Sequence, residues 1–171
     1  MRKRYLLPLL LVAISLTFFN CGGSSKPKLS PMQIRELTTK MFESDYETVF
    51  RSTLTVLQDQ GYVIKNTDMA AGLILGYADR KTAFGSQLFS ALMLGFVAHK
   101  GTDIEVSCMV NKNSDTSTEL RMNVQEAKYG QSSVYSGTSK TDSTLIRDPK
   151  IYKALFDQIG VEIKRREAMK K

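Results

Sequence analysis

The chain has no tryptophan, one histidine, two cysteines and four prolines in 171 residues. One imidazole excludes a His-rich metal centre, and two thiols exclude a disulfide framework. Compositional extremes are missing too: 42% hydrophobic and 24% charged residues is the balance of a folded chain rather than a disordered one, at a length that suits a single domain. No G-x-S-x-G elbow, P-loop or Gly-rich dinucleotide turn occurs. The expectation is a protein that is not an enzyme and uses no cofactor or metal.

What is present begins with an address. Arg2, Lys3 and Arg4 precede an apolar run from Tyr5 to Phe19, interrupted by Pro8. The run is short for a membrane span, which needs about 20 residues, and normal for a signal peptide. It ends at Asn20-Cys21, followed by Gly22-Gly23-Ser24-Ser25. This arrangement resembles a bacterial lipoprotein signal, in which the cysteine carries lipid (palmitate among it) and begins the mature chain. The three positions before the cysteine depart from the usual box, since Phe18, Phe19 and Asn20 stand where an aliphatic and two small residues are common. An uncleaved anchor and ordinary signal cleavage remain as other readings. The predicted organisation is a signal peptide over 1–20, lipidated Cys21 with a flexible tether over 21–31, and one domain over 32–171 with a basic tail. Gly22 after the cysteine points to the outer membrane under lipoprotein sorting rules.

The formal charge of +7 is misleading. Residues 30–163 carry 14 basic and 16 acidic side chains, while Lys164–Lys171 carries five basic residues against Glu167. A nucleic-acid binder needs a basic face on its folded body. This chain is basic only at its ends, so nucleic acid is not expected as a partner. The tail either touches anionic headgroups or solvates a helix end.

Along the chain, Met32–Phe42 reads as a first strand from Ile34, Leu37 and Met41. Ser44 with Glu47 suggests a capping box. Tyr46, Val49, Phe50, Thr53, Leu54 and Leu57 then recur as one face of a helix, and Gly61 stands where a left-handed residue closes it. Tyr62–Asn66 and Leu73–Ala78 read as strands around a turn at Asp68–Gly72. Leu73, Leu75 and Tyr77 share one side of the second. Thr102–Asn111 and Glu119–Lys128 form a predicted hairpin around Asn113-Ser114-Asp115. Its arms alternate apolar and polar residues, as in an antiparallel sheet with one wet side. Ser132–Thr144, rich in Ser and Thr, is an edge strand or a loop. Asp148 and Pro149 start a last helix with the stripe Tyr152, Leu155, Phe156, Ile159 and Ile163, which Gly160 ends or weakens. The fold class is α+β in two layers: an antiparallel sheet of about five strands with two amphipathic helices on one face, in the order β-α-β-β-(apolar segment)-β-β-(β)-α.

Phe84–Ala98 is the unusual stretch. Phe84, Leu88, Leu92 and Phe96 fall on one side of a helical plot and Phe89, Met93 and Val97 on another, so no polar face emerges. A helix apolar all round is buried or meets lipid, and this one is too short to cross a bilayer. Three placements are open: core, a segment dipping into the membrane, or a surface docking another envelope protein. The candidate contact residues are Phe84, Leu88, Phe89, Leu92 and Phe96.

Little else resembles chemistry. Cys108 alternates with Ile104, Val106 and Val110 on the apolar side of a strand, which makes it an inert core thiol. His99 has no acidic neighbour before Asp103, and the pairs Asp45/Glu47 and Asp142/Asp148 each lie near a helix start.

The succession of Arg35, Thr38 and Phe42, Val56–Ile64, Asp68 with Gly72, the apolar Leu88–Val97 and Arg147–Ile159 resembles a family of small bacterial envelope lipoproteins of no assigned chemistry. The resemblance implies a lipoprotein associated with the outer membrane, facing the periplasm or cell surface. It also implies work there in envelope assembly or transport and supplies no catalytic residues to carry over. The resulting expectation is a non-catalytic binding or assembly module. Its partners are the membrane, through the lipid, and an envelope protein or a lipid, through residues 84–98. The alternative is a carrier holding a lipid or other apolar ligand between sheet and helices. A hydrolase using His99 or Asp103 is a third reading.

Overall fold

Local chemistry explains most of the elements. In the computed structural model, which describes residues 29–78, 102–130 and 139–170, Ser30 opens helix α1 (Pro31–Thr38). The Gln33 amide donates to Ser30 Oγ at 3.3 Å and Gln33 Oε1 accepts from the Ser30 amide at 2.8 Å, a full capping box with Pro31 in the first turn. The strand expected over Met32–Phe42 is therefore corrected: only β1 (Thr39–Phe42) is extended. Ile34 and Leu37 are spaced by three, and the cap decides for the helix.

Helix α2 (Tyr46–Asp59) starts one residue later than the expected Ser44–Glu47 box. Asp45 is the cap, accepting from the Thr48 amide at 2.9 Å, while the Ser44 hydroxyl donates to Glu167 Oε1 at 2.7 Å. At the other end the Gly61 amide donates to the Gln58 carbonyl and the Tyr62 amide to the Leu57 carbonyl. That is a Schellman closure with Gly61 at φ 85°. The chain continues into β2 (Val63–Asp68), a turn in which Asp68 Oδ1 accepts from the Ala70 and Ala71 amides, and β3 (Leu73–Ala78). Then follow β4 (Thr102–Lys112), β5 (Thr118–Gly130), β6 (Ser139–Leu145) and α3 (Pro149–Met169).

All six strands form one open antiparallel sheet in the order β1-β5-β4-β3-β2. Long β5 shares one edge between two short strands: β1 pairs with its start (Thr39 opposite Arg121) and β6 with its end (Leu145 opposite Gln125). Helices α2 and α3 pack side by side against one face, giving the two-layer α+β architecture expected. Three details go beyond it. There is an additional short helix, the expected "about five" strands become six, and the Ser/Thr-rich stretch is a strand over Ser139–Leu145.

Val49, Phe50, Val56 and Leu57 from α2 and Tyr152, Leu155, Phe156, Ile159 and Ile163 from α3 meet Ile74, Ile104, Val106, Cys108, Val110, Leu120, Met122 and Val124 of the sheet. These side chains fill the space between the layers. Tyr152 ties them together: its hydroxyl donates to the Ile146 carbonyl at 2.9 Å and accepts from the Val124 amide at 3.2 Å. Gly160 does not end α3, because its position lies against Phe42 and the stripe continues to buried Ile163. The expected basic tail is the last turns of this helix. Arg166 pairs with Glu162 and donates to Thr55, and Lys170 pairs with Asp45 at 3.1 Å, so the basic end is fastened to the start of α2. No helix among the described residues is long and apolar enough to cross a membrane.

Candidate functional site: the open face of the sheet

Cys21, the contact residues Phe84, Leu88, Phe89, Leu92 and Phe96, and His99 lie outside the described residues. The remaining sequence candidates have structural positions. Cys108 is buried on the inner face, where burial pushes its thiol well above the usual range and keeps it protonated at neutral pH. Asp45 and Asp148 cap helices α2 and α3, and Glu47 pairs with Arg51 at 2.7 Å. Asp142 lies exposed in β6. Burial alone would raise the Asp45 carboxyl, but the Thr48 amide, the Thr48 hydroxyl and Lys170 outweigh it and hold the group below the ordinary carboxylate value.

The feature that sequence reasoning missed is a cleft on the wet side of the sheet. Strand β3 turns Ile74, Gly76 and Ala78 inward and leaves Leu73, Leu75 and Tyr77 half-buried on the face away from α2 and α3. Register lines these up with the outward residues of neighbouring strands. Leu73 lies opposite Met109 and Met109 opposite Arg121. Leu75 lies opposite Ser107 and Ser107 opposite Asn123. Tyr77 lies opposite Glu105 and Glu105 opposite Gln125. The middle row ends in short side chains, Ser107 and Asn123, between taller rows. A dent therefore forms over β4 and β5.

That dent is the floor of a cleft of about 380 Å³ lined by Arg35, Leu73, Ser107, Met109, Asn111, Glu119, Arg121 and Asn123. Arg35 comes from α1, which runs directly into β1, and β1 pairs Thr39 with Arg121, so both arginines line the same cleft. Arg35 and Arg121 are exposed, and their side chains make no hydrogen bond or ion pair with another described residue. Asn111 Nδ2 donates to Glu119 Oε1 at 3.3 Å across the hairpin. Beyond Ser107 the face continues into a smaller hollow of about 150 Å³ bounded by Lys65, Leu75, Glu105 and Gln125. There Lys65 Nζ stands 4.3 Å from the centre of the Tyr77 ring, within cation–π range, and Gln125 Nε2 donates to Glu105 Oε2 at 3.0 Å.

A separate groove of about 390 Å³ runs between the two long helices, edged by Val56, Asp59, Gln60, Asp157, Gln158, Val161 and Glu162. Gln60 Nε2 bridges it to Gln158 Oε1 at 2.8 Å. Among the described residues, no group of three or more His, Cys, Asp and Glu side chains is arranged to hold a metal ion. The arrangement on the open face can bind by shape, hydrogen bonding and charge. No family model and no curated protein matches the chain.

Proposed function

We propose that this chain is a bacterial envelope lipoprotein, anchored to the outer membrane through lipid on Cys21, that acts as a non-catalytic binding or assembly module. One observation carries the binding part of the reading. Among the described residues, the long helices cover one side of the sheet, and the other side bears half-buried Leu73, Leu75 and Tyr77 beside a cleft whose two guanidiniums bond no other described residue. A monomer gains nothing in stability from leaving such apolar groups half-wet, whereas a binding surface uses them. The N-terminal signal supports the anchor, since basic residues, an apolar run and Cys21 follow in the order that lipoprotein export requires. The expected contact residues Phe84, Leu88, Phe89, Leu92 and Phe96 remain part of the proposal as a second docking surface. The carrier alternative has less support, because side chains of both layers fill the space where its ligand was expected.

Two experiments test this. Metabolic labelling with an alkyne fatty acid labels the wild-type chain and not Cys21→Ser; equal labelling of both overturns the anchor. Photo-crosslinking in intact cells with probes at Phe89 and Phe96, and a control at exposed Lys164, yields a discrete heavier band from the first two positions. Lipid adducts in its place favour the carrier reading. Capture of nothing beyond the chain itself removes residues 84–98 as a docking surface.

A further inference from the structure

We propose that the cleft between Arg35 and the open face of β3, β4 and β5 is an anion site that takes a phosphate monoester. The inference deepens the binding reading above and rests on it. Three features carry it together. The concavity is built in, because the paired short residues Ser107 and Asn123 lie beside the taller row of Met109 and Arg121. Two arginines line it, Arg121 from β5 and Arg35 from α1, the helix that leads into β5's partner β1. Neither side chain bonds another described residue, as is also true of Arg147, whereas Arg51, Arg165 and Arg166 each sit on a carboxylate within 2.9 Å. Arginines with no protein carboxylate to satisfy are donors held ready for a ligand, five N–H groups in each planar fork.

The ligand class follows from charge. One carboxylate needs one guanidinium, while a phosphate monoester carries about −1.5 to −2 charges and three strong acceptor oxygens, which suits two. Ser107, Asn111 and Asn123 add neutral donors around the same space. Glu119 is the one carboxylate of the lining. It already accepts from Asn111, and it stands two residues from Arg121 along β5, roughly 6.6 Å away at strand rise. The lining therefore keeps a net positive charge. Its volume admits a phosphate with a small attached body, from a free phosphorylated metabolite or from a lipid headgroup.

The test uses the full-length lipidated chain in neutral detergent, titrated calorimetrically with inorganic phosphate. Saturable binding is expected. It weakens about tenfold in Arg35→Ala and in Arg121→Ala, the loss of one charge-assisted contact each. It stays within about twofold in Lys164→Ala, which removes an equal charge elsewhere. Circular dichroism checks that each variant keeps its fold. Phosphatidylcholine vesicles doped with phosphatidic acid distinguish the sources. Arginine-dependent retention assigns a headgroup, and phosphate binding without retention assigns a free ligand. Absence of saturable binding to either probe, or equal binding by the double Arg35→Ala/Arg121→Ala variant, overturns the site. If that variant loses phosphate while Phe89 and Phe96 still capture their partner, both proposals stand. If the wild type binds phosphate and those probes capture nothing, only the docking reading through residues 84–98 falls.

Discussion

The two faces of one sheet differ more than any two separate parts of this molecule. On the inner face Ile74, Val106, Cys108, Val110, Leu120, Met122 and Val124 are almost wholly buried under α2 and α3. On the outer face the alternate residues of the same strands, Leu73, Leu75, Tyr77, Met109, Arg121 and Asn123, meet solvent or line a cleft. Strand β3 shows that apolar content does not decide which face becomes core. Its outward set is bulkier than its inward set of Ile74, Gly76 and Ala78. The inward side of Gly76 is already filled by Ile64 and Val106, which lie 3.4 and 3.2 Å from where its Cβ would stand. The apolar stripes of two helices determine the inner face. Part of what remains outside lines the cleft.

The comparison predicts that substitutions facing the helices or their strand connections damage stability, and that those on the open face spare it. The largest effect is expected at Gly72, which enters β3 at φ +72°; a Cβ there would lie 2.1 Å from the Val110 carbonyl oxygen. That oxygen belongs to backbone whose amide bonds the Gly72 carbonyl at 2.8 Å, so neither can move aside alone. Gly72→Ala should cost about 4 kcal/mol or prevent folding, read by urea unfolding. A loss below about 1 kcal/mol would mean the strand entry adapts.

Next comes Tyr152→Phe, which strips the buried Ile146 carbonyl and Val124 amide of a partner and should cost about 1–3 kcal/mol with the packing unchanged. The helix layer carries the third. Lys153, with Lys40, lowers the Asp157 carboxyl, Arg165 lowers that of Glu162, and the Thr48 and Lys170 contacts hold that of Asp45 below its ordinary value. A depressed folded pKa gives stability that is complete above the usual carboxylate range and disappears as pH falls through the folded value. Stability should therefore decline on the acid side of about pH 4, and Asp45→Asn should flatten part of that decline while keeping a competent cap. An identical pH profile in the variant would remove Asp45 from the account.

The smallest stability effect is expected on the open face. Ser107→Leu fills the dent, changes unfolding free energy by less than about 0.5 kcal/mol, and abolishes phosphate binding. Stability lost in step with binding would show that this face supports the fold as well.

Legibility in the sequence followed the range of the interactions concerned. The stripe of α2, its closure at Gly61, the Asp148-Pro149 start of α3 and the β4–β5 hairpin could be read from residues a few positions apart, because caps, helix faces and alternation are local. Helix α1 was missed although Ser30-Pro31 with Gln33 carries a cap signature, since Ile34, Leu37 and Met41 also allow an uneven alternation. The cap of α2 moved from Ser44 to Asp45 for a distant reason. Ser44 is engaged by Glu167 and its carbonyl by Thr118. The cleft had no sequence signal, for Arg35, Ser107 and Arg121 lie on three elements that only pairing brings together.

By itself, then, the sequence determined the α+β class, the amphipathic faces of both long helices and the wet side of the hairpin. These depend on periodicity, capping and composition, which act along the chain. Tertiary structure alone decided which side of β3 became core, how β1 and β6 divide one edge of β5, and that two arginines line one cleft. Each of those depends on register between strands distant in sequence. A register is chosen by the packing of whole layers, and no local stretch encodes it.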